Sequence, residues 1–378
     1  MLKRYHCQCK NPVFFRNSTC LLCATPLGYD TSLGLLIPLA AGGQLGEWVR
    51  FASNEPTLAN GAAGPVAYRR CANLQTPAAC NWLIDAASPA ANVFCLACSL
   101  NRTIPDLADP THPENGMHWG RVELAKRRML AGLLGLGLPI TSKYEDAANG
   151  LAFDLVSSQV GAKAVMTGHD SGLITLNLQE ADDAIRESIR NAMREPYRTL
   201  LGHFRHETGH YFWDRLIRNS EWLSPFRQLF GDESQDYTAS LQNNYTNGPP
   251  RDWWLNYVSS YGSSHPWEDW AETWAHYLHM CDTLDTAASY GLTVNAQLLE
   301  FTPFTMDALY DQNEQTAGEF LTFLNEWMGL TVLLNEMSRS MGQSDFYPFA
   351  MPNVVVAKLH FVHLIIKSGT PEQRNAIC

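Results

Sequence analysis

The sequence predicts an α+β chain: a mostly helical body with a small antiparallel sheet, preceded by a cysteine-rich front end. Three observations predict it. Eight of the ten cysteines fall in the first hundred residues and in two evenly built groups. The stretch Gly172 to Gln179 alternates apolar and polar residues between glycine and charged neighbours, the period of a half-buried strand. Downstream, long segments repeat apolar residues at helical spacing, and one of them carries His-Glu-Thr-Gly-His at 206–210.

The bulk properties bound the rest. A chain of 378 residues is long enough for one large domain and a smaller module. It contains no run of 18 uncharged apolar residues. The most apolar C-terminal stretch, Val354 to Ile366, is short and broken by Lys358, His360 and His363, so it reads as a buried helix and no membrane span is expected. The N-terminus lacks the apolar core of a signal peptide, which points to the cytoplasm. In that reducing setting the cysteines suggest metal ligation over disulfides. The net charge of −11 is uneven: residues 1–140 hold 12 Lys/Arg against 8 Asp/Glu, and residues 141–378 hold 15 against 30. Such an acidic body argues against nucleic-acid binding by the whole chain, while the mildly basic front leaves a local contact open.

Taken in order, the front end comes first. Cys7, Cys9, Cys20 and Cys23 read C-x-C, ten residues, C-x-x-C; Cys71, Cys80, Cys95 and Cys98 form a second quartet ending in C-x-x-C. Close pairs brought together by a hairpin make a tetrahedral thiolate site, a geometry Zn²⁺ accepts without strain, so each quartet is expected to hold one structural zinc. The segment Phe14 to Ser18 suits the hairpin of the first. Four thiolates leave no open position, so these sites stabilise folding and do not catalyse. Quartets that mix cysteines from the two groups stay open at this point. The Gly/Ala-rich stretches Ala40-Ala41-Gly42-Gly43 and Asn60-Gly61-Ala62-Ala63-Gly64-Pro65 are expected to loop. A Pro-rich stretch after Asn101 then leads to a helix from about Arg121 to Leu136, whose Lys126-Arg127-Arg128 reads as a solvated or bridging face.

In the body, the 172–179 strand is followed by an amphipathic helix from Asp182 to Met193 and a further helix from about Tyr197 to Arg218, with Pro196 near its start. The last one carries the pentad. Residues four apart share a helix face, so His206 and His210 fit one metal ion, with Glu207 beside them as general base toward an attacking water. Strand, helix and HExxH helix in this order are expected of a zincin-like domain, in which an edge strand hydrogen-bonds an extended substrate.

A catalytic zinc takes three protein ligands and leaves one position for water. A downstream histidine at metzincin spacing is absent. The third ligand is instead sought at 265–279, His-Pro-Trp-Glu-Asp-Trp-Ala-Glu-Thr-Trp-Ala-His-Tyr-Leu-His, where Pro266 fits a helix start. Glu268, Glu272 and His276 fall on one face there. Glu268 is the favoured ligand and Glu272 its rival; the other is expected to orient a ligand imidazole. Asp269 should cap the helix or face solvent. His203, His276, His360 and His363 read as surface, supporting or core histidines.

The block Glu268-Asp-Trp-Ala-Glu272 resembles the E-x-x-A-E motif of gluzincin peptidases. That resemblance implies Glu268 as zinc ligand, Glu272 as support, and Tyr261, seven residues upstream, as donor to a developing oxyanion, with Tyr257 and His265 as competitors. Across most of its length the chain resembles bacterial zinc-binding metallopeptidases with an N-terminal zinc-ribbon-like domain. The matching motifs are the spaced cysteines, Cys80-Asn-Trp-Leu, Asn101-Arg-Thr-Ile-Pro-Asp, Ala125-Lys-Arg-Arg, the pentad, Phe230-Gly-Asp and the 265–276 block. The expected organisation is therefore a zinc-ribbon-like region at 1–100, a linker and bridging helix at 101–140, and a zincin-like domain at 141–378. It would bind one catalytic and two structural Zn²⁺ and hydrolyse a peptide, a protein or a related amide. Two other readings share these residues. The front end could dock a protein partner while the body acts as a weak enzyme or scaffold, or the site could hydrolyse a non-peptide amide.

Overall fold

The computed structural model describes residues 3–51, 66–157, 167–193, 195, 197–292 and 302–368. They fall into two compact units, each described by itself. The first comprises Met1–Glu145, Leu151–Thr167 and Thr175–Asp182, and the second comprises Asp146–Gly150, Gly168–Ile174 and Asp183–Cys378.

In the first unit a short antiparallel pair, β1 (Tyr5–His6) and β2 (Pro12–Val13), precedes a five-stranded antiparallel sheet. Its strands are β3 (Leu27–Asp30), β4 (Leu35–Ala41), β5 (Trp48–Arg50), β6 (Ala67–Arg70) and β7 (Leu83–Asp85), paired in sequence order. Ile37, Leu39, Tyr68 and Leu83 meet as its core, and the Tyr68 hydroxyl donates to Asp30 Oδ2 at 2.6 Å. Gly28 allows β3 to lie against β7, because a side chain there would come within 2.5 Å of Leu83. The loop expected at Ala40–Gly43 is corrected in part: Ala40 and Ala41 close β4, and the turn begins only at Gly42, whose N–H bonds the Glu47 carbonyl. Asn60–Pro65 lies outside the described residues.

Next come α1 (Leu96–Ser99), β8 (Asn101–Thr103), α2 (Asn115–Gly135) and β9 (Ala152–Val156), with β8 and β9 parallel. The basic run on α2 is not a solvated face. Lys126 and Arg127 are buried, because Lys126 Nζ bonds Glu123 at 2.7 Å and Asn101, while Arg127 donates to the Ala78 carbonyl at 2.9 Å. Partners on neighbouring elements thus meet the cost of burying charge, which composition alone does not reveal.

In the second unit β10 (Gly168–Asp170) turns through Ser171 and Gly172 into β11 (Leu173–Asn177). Both turn residues have positive φ (50° and 84°), the mirror-image turn that matches strand twist. β11 continues into the first unit, where β9 is its neighbour. The helices are α3 (Asp183–Met193), α4 (Leu200–Leu216), α5 (Leu223–Phe230), α6 (Tyr237–Asn247), α7 (Pro266–Ser289), α8 (Ala317–Ser340) and α9 (Asn353–Ser368). The pentad helix α4 starts three residues later than its periodicity suggests, because the Thr199 hydroxyl caps it by accepting from Gly202 N. Pro196 lies outside the described residues.

The packing of α4 on α7 positions the site. Gly209 of the pentad meets Ala271 so closely that a Cβ at 209 would sit 2.8 Å from the Ala271 Cα. Beside this crossing, Trp270 donates its indole N–H to the Gly209 carbonyl at 2.8 Å, and Trp274 stacks on Phe212. Both tryptophans are fully buried, each contributing on the order of 2–3 kcal/mol by removal from water. His363 on α9 meets the Tyr277 hydroxyl in the same core. No helix among the described residues is long and apolar enough to cross a membrane.

Asp269, expected to cap or face solvent, is instead fully buried on α7. It accepts from Lys358 of α9 at 2.6 Å, and the same ammonium donates to the Asn256 carbonyl at 2.7 Å. Burial pushes the Asp269 carboxyl up to about 7, with Lys358 pulling it back. Lys358→Met is therefore expected to destabilise the chain by roughly 3–5 kcal/mol above pH 7, since it leaves a buried carboxylate alone. A raised carboxyl holds its proton in the folded state, so the deficit should shrink as pH falls through 7. Urea melts of both chains between pH 5 and 8.5 check this, and a pH-independent deficit would contradict it.

Candidate metal centres and catalytic site

Among the described residues three groups of ligand-type side chains form, and within each the potential donor atoms lie within 4.8 Å of one another. The first brings together Cys7, Cys9, Cys20 and Cys23, and the second Cys71, Cys80, Cys95 and Cys98. Sulfur separations of 3.5 Å (Cys7–Cys23), 3.8 Å (Cys9–Cys20) and 3.5 Å (Cys80–Cys95) are far beyond a disulfide bond. They suit thiolates arranged about 2.3 Å from one tetrahedral ion.

Local backbone sets each knuckle. Lys10 and Ala24 take positive φ just past Cys9 and Cys23, folding the loops so that Lys10 N bonds the Cys7 carbonyl and Ala24 N the Cys20 carbonyl. In the second quartet Cys95 caps α1, its N–H points at Cys71 Sγ (3.4 Å), and all four thiols are buried. The Arg70 and Arg127 guanidinium charges both reach Cys80, and each carries buried N–H groups without a hydrogen-bond partner. Positive charge of that kind offsets the two negative charges left when four thiolates hold one Zn²⁺.

The third group is His206, His210 and Glu268. α4 supplies the imidazoles from one face, and α7 supplies the carboxylate from its first turn. His265 caps that turn by accepting the Trp267 N–H on Nδ1, so its Nε2 carries the proton toward the Gln235 carbonyl. Glu268 Oε2 lies 2.9 Å from His206 Nε2, and Oε1 lies 3.5 Å from His210 Nε2. Glu272, one turn on, reaches the other side of the same ring: Oε1 sits 2.6 Å from His206 Nδ1. The two carboxylates therefore occupy different positions. Glu268 joins the Nε2 cluster, and Glu272 accepts the Nδ1 proton, fixing tautomer and orientation.

The charged groups of this site perturb one another strongly. Burial would raise Glu268, yet the nearby imidazoles of His210 and His206 hold it well below the usual carboxylate range. Glu272 is likewise desolvated but is held down at about 2 by His206. His206 rises well above its ordinary value against its own desolvation, because both glutamates face it. Two imidazoles and one carboxylate make a donor set that suits zinc and keeps a coordination position open.

Glu207 is 7 % exposed, and its charge reaches Tyr237 and Tyr261. Tyr261 lies beside His206, ring centroids 5.8 Å apart. Of its competitors, Tyr257 faces Lys358 and His265 is the helix cap. Of three further neighbours of the site, Tyr237 and His169 had no sequence signal, while Trp267 lies inside the 265–276 block. Tyr237 donates to Glu268 Oε1 at 2.5 Å, Trp267 lies over His210 at 4.0 Å, and His169 on β10 stacks 6.2 Å from His210. The Asp236 cap ahead of Tyr237 marks a helix start and nothing more. The strand lying against α4 is β10; the strand foreseen at 172–179 is its inner neighbour β11.

Comparison with known proteins gives a family model described as "Putative zinc-binding metallo-peptidase" over residues 115–365 and a zinc-ribbon domain model over residues 4–109. The uncharacterized protein Rv2568c of Mycobacterium tuberculosis (strain ATCC 25618 / H37Rv) is 39 % identical over 373 residues, covering 98 % of this chain and 97 % of its own length. The uncharacterized protein Mb2598c of Mycobacterium bovis gives the same figures. No solved structure matches.

Proposed function

The chain belongs to the zinc-binding metallopeptidase family and carries a zinc-ribbon domain at its front; on that premise we propose that it hydrolyses peptide or related amide bonds at His206, His210 and Glu268. The observation that carries this reading is the meeting of those three donor groups within 4.8 Å, with Glu207 on the same helical turn as the imidazoles. Bound there, zinc supplies a Lewis acid for the scissile carbonyl and lowers the pKa of a water toward neutrality. Glu207 accepts the proton of the attacking water and passes it to the leaving nitrogen. Glu272 keeps the His206 ring turned by holding its Nδ1 proton. Edge strand β10 offers an extended substrate backbone a pairing partner beside α4.

The two cysteine quartets are read as closed structural zinc sites in the ribbon, which also serves as the surface for any protein partner. Metal analysis of the purified chain tests the whole assignment. The expected result is near three zinc ions per chain, with mild chelation removing one and abolishing hydrolysis while two resist. A count of two, or three ions lost together, would contradict one open and two closed sites.

A further inference from the structure

We propose that Tyr237 is the positioning residue of the His206–His210–Glu268 centre: its hydroxyl pins Glu268 Oε1, leaving Oε2 as the oxygen that ligates the metal. The inference rests on the reading of that trio as metal ligands and assigns a task to a side chain outside it. Tyr237 is the first residue of α6, and the Asp236 side chain caps that helix by accepting from Ala239 N. Its ring is clamped edge-on between His265 (5.2 Å) and Trp267 (5.7 Å), two residues of the turn that carries Glu268. The His265 contact with the Gln235 carbonyl fastens the same two segments from the other side. The hydroxyl therefore has a fixed origin, and at 2.5 Å it makes a short bond to Oε1.

The two carboxylate oxygens then have unlike surroundings. Oε1 holds the phenol and lies 3.5 Å from His210 Nε2. Oε2 lies 2.9 Å from His206 Nε2, is buried, and receives no well-directed hydrogen bond. A carboxylate with one oxygen engaged binds a small cation through the other, because the bonded lone pairs are directed away from it. Tyr261 is next to His206 but makes no such bond to Glu268 among those described, so the two tyrosines have separable roles.

Tyr237→Phe in the full chain tests this, with zinc kept in both quartets and Co²⁺ loaded into the third site after mild chelation. The expected result is a 10- to 100-fold rise in the zinc dissociation constant at that site, measured against a chromophoric chelator. The Co²⁺ visible bands should shift toward the weaker absorption of a higher coordination number as the freed carboxylate turns bidentate. Tyr261→Phe should leave those bands in place. Unchanged affinity and bands in Tyr237→Phe would overturn the proposal. So would a fall in kcat alone, which would place the phenol on the substrate. Should the variant not fold, 3-fluorotyrosine at 237 keeps the ring and strengthens the donor, and bands that do not move would overturn the proposal equally. A wild-type chain that takes up no third metal ion would instead overturn the metallopeptidase reading itself.

Discussion

Glu207→Gln should fold, keep its full complement of zinc and lose peptide hydrolysis by about 10²- to 10⁴-fold in kcat, the contribution typical of a positioned general base. The amide is the same size as the carboxylate, so the packing around a 7 % exposed side chain is kept. What disappears is the ability to accept a proton. Glu207 lies outside the His206–His210–Glu268 cluster, so the ligand set is intact in the variant. Turnover of a quenched-fluorescence peptide library, together with zinc content, checks both halves. Undiminished turnover would remove Glu207 from the mechanism, and a loss of zinc would make it a ligand.

The second large effect concerns folding. Cys80→Ser is expected to lose one zinc ion and, with it, the ordered structure around the second quartet. Cys80 has no solvent exposure, and its group has four buried thiols. Structural zinc sites contribute an apparent 10–16 kcal/mol or so, comparable to the roughly 5–15 kcal/mol that stabilises a whole domain. The damage should spread to α2, because Arg127 is tied to the Ala78 carbonyl and Gly120 passes so close to Pro77 that a Cβ would meet its carbonyl oxygen at 2.5 Å. Limited proteolysis should therefore open new cleavage sites within residues 66–135. Cys281→Ser, outside both quartets, provides the comparison and should keep the parent pattern. Equal protease resistance in the two variants would mean that the second quartet does not hold this region together.

How much of this was readable from residues alone follows from distance along the chain. His206, Glu207 and His210 are one turn apart, so spacing declares their shared face, and the C-x-x-C pairs are local in the same way. Glu268 and Glu272 were both recognisable as site residues. Spacing favoured Glu268 as the ligand but left Glu272 as its rival, because the choice depends on which nitrogen of His206 each one meets. Tyr237 reaches Glu268 across 31 positions, and no local pattern encodes that. The burial of Lys126, Arg127 and Asp269 is illegible in sequence for a common reason. Charge suggests solvent until the buried partner is known, and the partners (Glu123 and Asn101, the Ala78 carbonyl, and Lys358) come from tertiary packing. The five-stranded sheet was hidden because four of its strands run only three or four residues, too short for an alternation to show.

The chain leaves the first compact unit at residue 145, returns at 151, leaves again at 167, returns at 175 and departs for good at 182. An architecture threaded in this way cannot be separated by a single cut. A fragment beginning at 115 or 141 would keep β9 and β11 while discarding the strands and cysteines that belong to the same unit. Recombination that swapped the front end as a cassette would meet the same obstacle. Relatives matched over 98 % of this chain and 97 % of their own length align with both parts together.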